Sequence, residues 1–233
     1  MRHRTIRGTI SYQTKGEENA REWFTITVHG TGHRTFRAIV EYRDTGILRD
    51  VTHSVDERWR PLDCYVRQTR RGLFEGALWM RFTEHVAEAE GFTAEAGRIR
   101  QRFATERWTS ILMNHSLLSD FWQFARYDFG GPRRQEVTRR LSTAVHPVGD
   151  SPPILYHATN PFGIWPTAVF EGAGEREVTV AAGTFRCRHM LSVRRQGPPV
   201  EFFTVPGDFP PVLCVADFVG QRYELLEWRE GKP

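Results

Sequence analysis

The sequence predicts a mostly β fold: a lipocalin-like antiparallel barrel or a strongly bent sheet, with one prominent helix at about 109–127 covering an open end. Three observations carry this. Most of the chain alternates apolar and polar residues with period two, the signature of strands with one buried face. The alternating runs are rich in β-branched and aromatic residues and are punctuated by glycine turns at the short spacing of an all-β domain. One segment only breaks into spacings of three and four.

The strands follow in order. Arg4–Tyr12 alternates, and so does Trp23–Val28, which ends at His29-Gly30-Thr31-Gly32 before the pattern resumes over His33–Tyr42. Ile47–Val55, Leu62–Gln68, Leu73–Phe82, Glu84–Glu90 and Gly97–Thr105 complete the first half. In the helical segment, Ile111, His115, Leu118, Trp122 and Ala125 fall on one stripe. Leu117, Phe121 and Phe124 make a second stripe beside it, so the helix is expected to pack into the fold. Gly130-Gly131-Pro132 stops it. The proline-rich stretch 147–166 reads as a crossing loop or lid. Strands return at Trp165–Phe170, Glu175–Val180, Thr184–Val193, Val200–Val205, Pro211–Phe218 and Arg222–Trp228. Too few strands follow Pro166 for a separate core, so residues 1–233 are expected to form a single domain.

With 233 residues the chain can bury a core without a disulfide or metal staple. No run approaches the ~20 apolar residues of a membrane helix, and the polar N-terminus has no apolar segment of a secretory signal. The three cysteines are odd in number and far apart, as free thiols of a reducing cytoplasm would be. Of the 32 basic residues only Lys15 and Lys232 are lysine. Acidic residues are interleaved with the arginines and no like-charge block forms, so an arginine-preferring genome explains the skew better than nucleic-acid binding does.

The run Val178-Thr179-Val180-Ala181-Ala182-Gly183-Thr184-Phe185 resembles a strand–turn–strand signature, V-T-V-P-A-G-T-F, of a poorly characterised bacterial family of lipocalin-like or lipoprotein-carrier-like antiparallel barrels. The match covers about 20 residues, and Ala181 replaces the usual proline. The resemblance implies a barrel and transfers no catalytic residue. Locally the motif is a hairpin with Gly183 in the turn, after which Phe185, Cys187, His189 and Leu191 share a face.

Phosphate-loop, dinucleotide, nucleophile-elbow and His-Glu-x-x-His motifs are missing, so no nucleotide cofactor or metal is expected. His29 and His33 straddle a turn with no third ligand nearby in sequence. Two sets of residues carry the chemistry that remains. On the helix, His115 lies in the apolar stripe with Asp120 on the same element; it suits a general acid or base oriented by Asp120, or a structural core histidine. On neighbouring strands, Arg49, Tyr65 and Trp79 would line the barrel, with Trp122 from the helix, and clamp an oxygen of an aromatic ligand if they point inward. If Arg49, Tyr65 and Trp79 point outward, they are ordinary surface cross-strand pairs. Arg98, Arg100 and Arg102 read as a solvated face.

The leading expectation is a cytoplasmic, cofactor-independent enzyme of the isomerase, lyase, hydratase or cyclase type, acting on an apolar, oxygenated, ring-containing substrate. His115 and Asp120 would be catalytic, and Arg49, Tyr65, Trp79 and Trp122 would bind the substrate. The alternative is a non-catalytic carrier of a lipid-like or aromatic small molecule. Neither reading involves nucleic acid or membrane insertion, and both leave a homodimer open.

Overall fold

The computed structural model describes residues 3–95, 97–104, 111–113, 116–142, 163–194 and 196–231. They form fifteen strands of one sheet and one short helix. The strands are β1 (Arg4–Thr14), β2 (Glu17–Val28), β3 (Arg34–Tyr42), β4 (Ile47–Val55), β5 (Pro61–Arg70), β6 (Leu73–Phe82), β7 (Val86–Thr93) and β8 (Gly97–Ala104), then β9 (Ile111–Met113), β10 (Arg134–Ser142), β11 (Gly163–Val180), β12 (Gly183–Val193), β13 (Val200–Thr204), β14 (Pro211–Ala216) and β15 (Gln221–Gly231). Helix α1 is Leu117–Trp122, continued by a 3-10 turn over Gln123–Arg126.

The sheet order is β8-β7-β6-β5-β4-β3-β2-β1-β15-β14-β13-β12-β11-β10-β9. The chain therefore meanders outward from a seam where β1 pairs with β15, in antiparallel register from Thr5–Gly231 to Thr14–Gln221. Among the described residues only the β9–β10 pair is parallel. Among the described residues β8 and β9 end the order without pairing, so the sheet is bent and open rather than closed. Short turns fix its register: Lys15-Gly16 and Arg71-Gly72 both hold two successive positive φ angles, the primed turns that match strand twist.

Alternation places one face inside. β3 buries Phe36, Ala38 and Val40, and β4 buries Ile47, Arg49, Val51, His53 and Val55. α1 packs its aromatic side chains onto this face. Phe121 and Phe124 meet Phe202 at 5.2 and 5.0 Å, Phe124 meets Phe170 at 5.2 Å, and Trp122 meets Phe36 at 4.8 Å between ring centres. Edge-to-face rings of this kind contribute beyond their area.

The helix is much shorter than the 109–127 expected from the spacing. Ser116 is its N-cap, accepting from the Leu118 amide at 3.3 Å, and Ile111–Met113 is a strand beside β10. A short apolar run such as Ile-Leu-Met fits a buried strand as well as a helix, so period alone could not separate the two. Of the proline-rich stretch 147–166, residues 147–162 lie outside the described set and Gly163–Pro166 belong to β11. β11 continues to Val180 with a register shift between Gly172 and Glu175, so the strands expected at Trp165–Phe170 and Glu175–Val180 are one. The Ala181-Ala182 turn of the V-T-V-A-A-G-T-F hairpin reaches β15: the Ala182 amide donates to the Leu225 carbonyl at 3.2 Å and the Ala181 amide to Glu224 Oε1 at 3.2 Å.

Gly91 shows how tightly the inner face is packed. It stands between Leu78 and Ile99, and a Cβ there would lie 2.2 Å from the Ala77 carbonyl oxygen and 2.9 Å from Leu78 Cα. Backbone cannot give way as a side chain can, so Gly91→Ala is expected to lower stability by about 1–3 kcal/mol, read from the urea midpoint.

Candidate functional site

The inner face carries one concentrated set of buried polar groups. Register places Ile10, Glu22, Val40, Arg49 and Gln68 in one row across β1–β5. Glu22, Arg49 and Gln68 are 0%, 0% and 1% exposed. Tyr12 packs edge-on against Tyr223 at 4.8 Å and Tyr42 at 6.1 Å. Buried charge needs partners on every side, and Glu22 has them. Its Oε1 accepts from Ser116 Oγ at 2.7 Å; its Oε2 accepts from the Leu117 amide at 2.9 Å and from the Tyr12 hydroxyl. Burial holds the Glu22 carboxyl above its ordinary pKa, against the lowering effect of those bonds. Burial, reinforced by the Glu22 charge, raises the Tyr12 phenol.

Arg49 donates through Nε and Nη2 to Gln68 Oε1 at 3.1 and 2.9 Å, and its guanidinium lies 5.6 Å from the Tyr42 ring. Gln68 in turn donates to Glu75 Oε2 at 2.5 Å, and Glu75 accepts from Arg70. The relay runs from the core to the surface. Both oxygens of Glu22 are occupied, so the acid acts as a clamp on the start of α1. The other end of α1 is fixed where Trp122 Nε1 donates to the Asp208 carbonyl at 3.2 Å, while the buried Asp208 carboxylate takes Arg34 Nε at 2.7 Å and also Arg4.

The sequence-predicted residues separate. Arg49 points inward, as does Trp122, which packs beside Phe36, His53 and Trp59. Tyr65 and Trp79 do not join them. They are cross-strand partners on the opposite face, 39% and 45% exposed, because Arg49 pairs with Gln68 and the inner residues of β5 are Cys64, Val66 and Gln68. An offset of one residue moves a whole side-chain set to the other face. Asp120 is half-buried, and its charge bears on Tyr42, Cys214 and Tyr223. His115 lies outside the described residues, and with it the proposed pairing to Asp120. Arg98 and Arg102 pair with Glu90 and Glu88 on an exposed face, as expected of a solvated row. Tyr12, Glu22, Tyr42 and Gln68 were not picked out, although Glu22 stands in the apolar series Ala20, Glu22, Phe24, Ile26.

A second feature is a cleft of about 360 Å³ between the segment after α1 and strands β11 and β12. Tyr127 forms its back: its hydroxyl donates to the Arg133 carbonyl at 2.6 Å and accepts from the Gly172 amide at 3.0 Å. A Cβ at Gly172 would come within 2.7 Å of that hydroxyl, so the residue must be small. Met190 is buried beside it, and Phe129 packs 4.9 Å from Tyr127. Half-buried Arg188 lays its guanidinium 3.7 Å from the Phe129 ring centre. Its cross-strand neighbour Glu175 is drawn instead to Arg186, with Nη2 to Oε2 at 2.5 Å. Among the described residues no carboxylate forms an ion pair with Arg188. A half-buried, stacked guanidinium of this kind is suited to a planar anion.

Among the described residues, no three His, Cys, Asp or Glu side chains converge as a metal cage, and the buried Cys64, Cys187 and Cys214 form no disulfide. No described helix is long and apolar enough to cross a membrane. No protein-family model matches the chain, and no curated protein does. Among solved structures it is similar to a β-barrel-like protein of the domain of unknown function DUF1849 from Brucella abortus, with a TM-score of 0.49 and 7% identity over 98% of this chain and 97% of that one.

Proposed function

We propose that the chain is a non-catalytic binding or carrier protein for an aromatic or lipid-like small molecule bearing a carboxylate or similar oxygen. The observation that carries this reading is the Phe129–Arg188 cleft. Its size falls within the range of small-molecule sites. Its lining combines apolar Phe129 and Met190 with one guanidinium that no described carboxylate neutralises. The ligand's ring or chain would lie along Phe129 and Met190, and its oxygen would meet Arg188. The acid–base enzyme has less support. Glu22, the fully buried acid of the inner face, has both oxygens committed to α1 and Tyr12.

Isothermal titration with 2-naphthoate and with its uncharged methyl ester tests the proposal. The carboxylate is expected to bind with 1:1 stoichiometry and to be recovered chemically unchanged. Arg188→Ala is expected to weaken the carboxylate by about 10-fold or more, the value of a charge-assisted hydrogen bond, and to leave the ester within about twofold. Conversion of the ligand, or equal affinity of both proteins for 2-naphthoate, overturns it.

A further inference from the structure

The outer face of β2–β7 exposes more large apolar side chains than a solvated sheet needs. Trp23 is 40% exposed, Ile39 45%, Tyr65 39%, Trp79 45% and Phe92 53%. They form two groups on one face, Trp23 with Ile39 and Tyr65 with Trp79 and Phe92, separated on β4 by Asp50 and Thr52. Register runs Trp23, Ile39, Asp50, Arg67, Ala77, Phe92 in one row across six strands, and Tyr65 and Trp79 stand side by side in the adjoining row. At ~4.8 Å per strand the row spans about 24 Å. A hollow of about 360 Å³ opens beside Trp23 and Ile39, reaching Arg37, Asp50 and Thr52. Monomers seldom expose so many large aromatic side chains on one face, and aromatic residues and arginine are enriched in interfaces.

The charges of the face indicate what covers it. Arg37, Arg67 and Arg81 are interspersed with Asp50, Asp63 and Glu88 over three adjoining rows, with Arg67 3.6 Å from Asp50 and Arg81 2.7 Å from Glu88. A phosphate polymer or an anionic bilayer would call for one sign of charge. A face with both signs interspersed around aromatic anchors is complementary to a copy of itself turned about a two-fold axis, where arginines of one subunit meet aspartates of the other. We propose that two copies of this chain associate through the outer faces of β2–β7, with Trp23, Ile39 and Trp79 at the centre.

Sedimentation velocity from micromolar to submillimolar protein tests this. The wild-type chain is expected to dimerise within that range. Ile39→Glu and Trp79→Arg, each at a solvent-exposed position, are expected to weaken the dimer by about thirtyfold, the effect of losing a central hot spot. Either variant that keeps the wild-type far-ultraviolet dichroism decides the question. A wild-type chain that stays monomeric throughout, or a dimer that folded variants leave intact, overturns the proposal. So does a monomer that binds RNA or phosphatidylglycerol vesicles through Trp79.

Discussion

Replacing Glu22 by alanine is expected to destabilise the fold by about 3–5 kcal/mol, with the urea midpoint falling and its slope unchanged. The variant removes the carboxylate that accepts from three buried donors, the Tyr12 hydroxyl, the Ser116 hydroxyl and the Leu117 amide, of which the amide keeps a longer bond to the Tyr12 oxygen at 3.2 Å. An unsatisfied buried donor costs ~1–3 kcal/mol, and the losses combine incompletely because water and the shortened side chain leave room to relax. Because α1 is only six residues long, it has little intrinsic stability to fall back on. It is attached to β2 at Glu22 and to the β13–β14 turn at Asp208, and these bonds add to the packing that holds Phe121 and Trp122 in the core. Near-ultraviolet dichroism from those aromatics is therefore expected to fall with stability. A variant as stable as wild type would show that the clamp contributes nothing.

The same carboxyl supplies a pH signature. Burial raises its pKa in the folded chain above the ordinary 4.5, so between 4.5 and the raised value the folded state binds the proton that the unfolded state has released. Stability from this group is present at low pH and lost as pH rises through the folded pKa. Glu22→Gln, which cannot titrate, removes that component.

How much of this was legible in the sequence differs by feature. Period-two alternation sufficed for most of the strands, which have one buried face and glycine turns at their ends, but it did not single out β10 (Arg134–Ser142) and it divided β11 at its bulge. It could not place Ile111–Met113, which is apolar throughout and packs as a strand beside β10. Arg49 was legible as a candidate for the inner face because it shares a strand face with Val51, His53 and Val55. Tyr65 and Trp79 were grouped with it wrongly in space. The period orders residues within a strand, but the register between strands is set by turns and bulges such as the one between Ser54 and Val55. Glu22 was legible in principle, as an acid where the alternation calls for an apolar residue. The signal gains meaning only with its partner, Ser116, 94 residues away. The Arg188 cleft was not legible, since its wall joins Phe129, Gly172 and Arg188 through a bulge that no local pattern announces.

Acid is expected to destabilise the fold through His53. This residue sits on the inner face of β4, 2% exposed, with the Phe36 ring at 5.4 Å and the Trp122 ring at 5.7 Å. Burial lowers its pKa from the ordinary 6.5 to about 3. Below pH 6.5 the unfolded chain takes up a proton there and the folded chain does not, so stability falls as pH drops and is fully present only above 6.5. At about 1.4 kcal/mol per pH unit, the full window down to about 3 is worth roughly 4–5 kcal/mol, much of a domain's net stability. Glu22 opposes this in part, since it favours the folded state as pH falls towards 4.5. The two contributions separate by mutation. His53→Gln is expected to flatten the loss of stability between pH 6.5 and 4, leaving the Glu22 component exposed as a rise in stability on acidification. Urea titrations at half-unit pH steps on the wild-type, His53→Gln and Glu22→Gln chains would measure both. An acid slope in His53→Gln equal to that of the wild type would place the sensitivity on other groups.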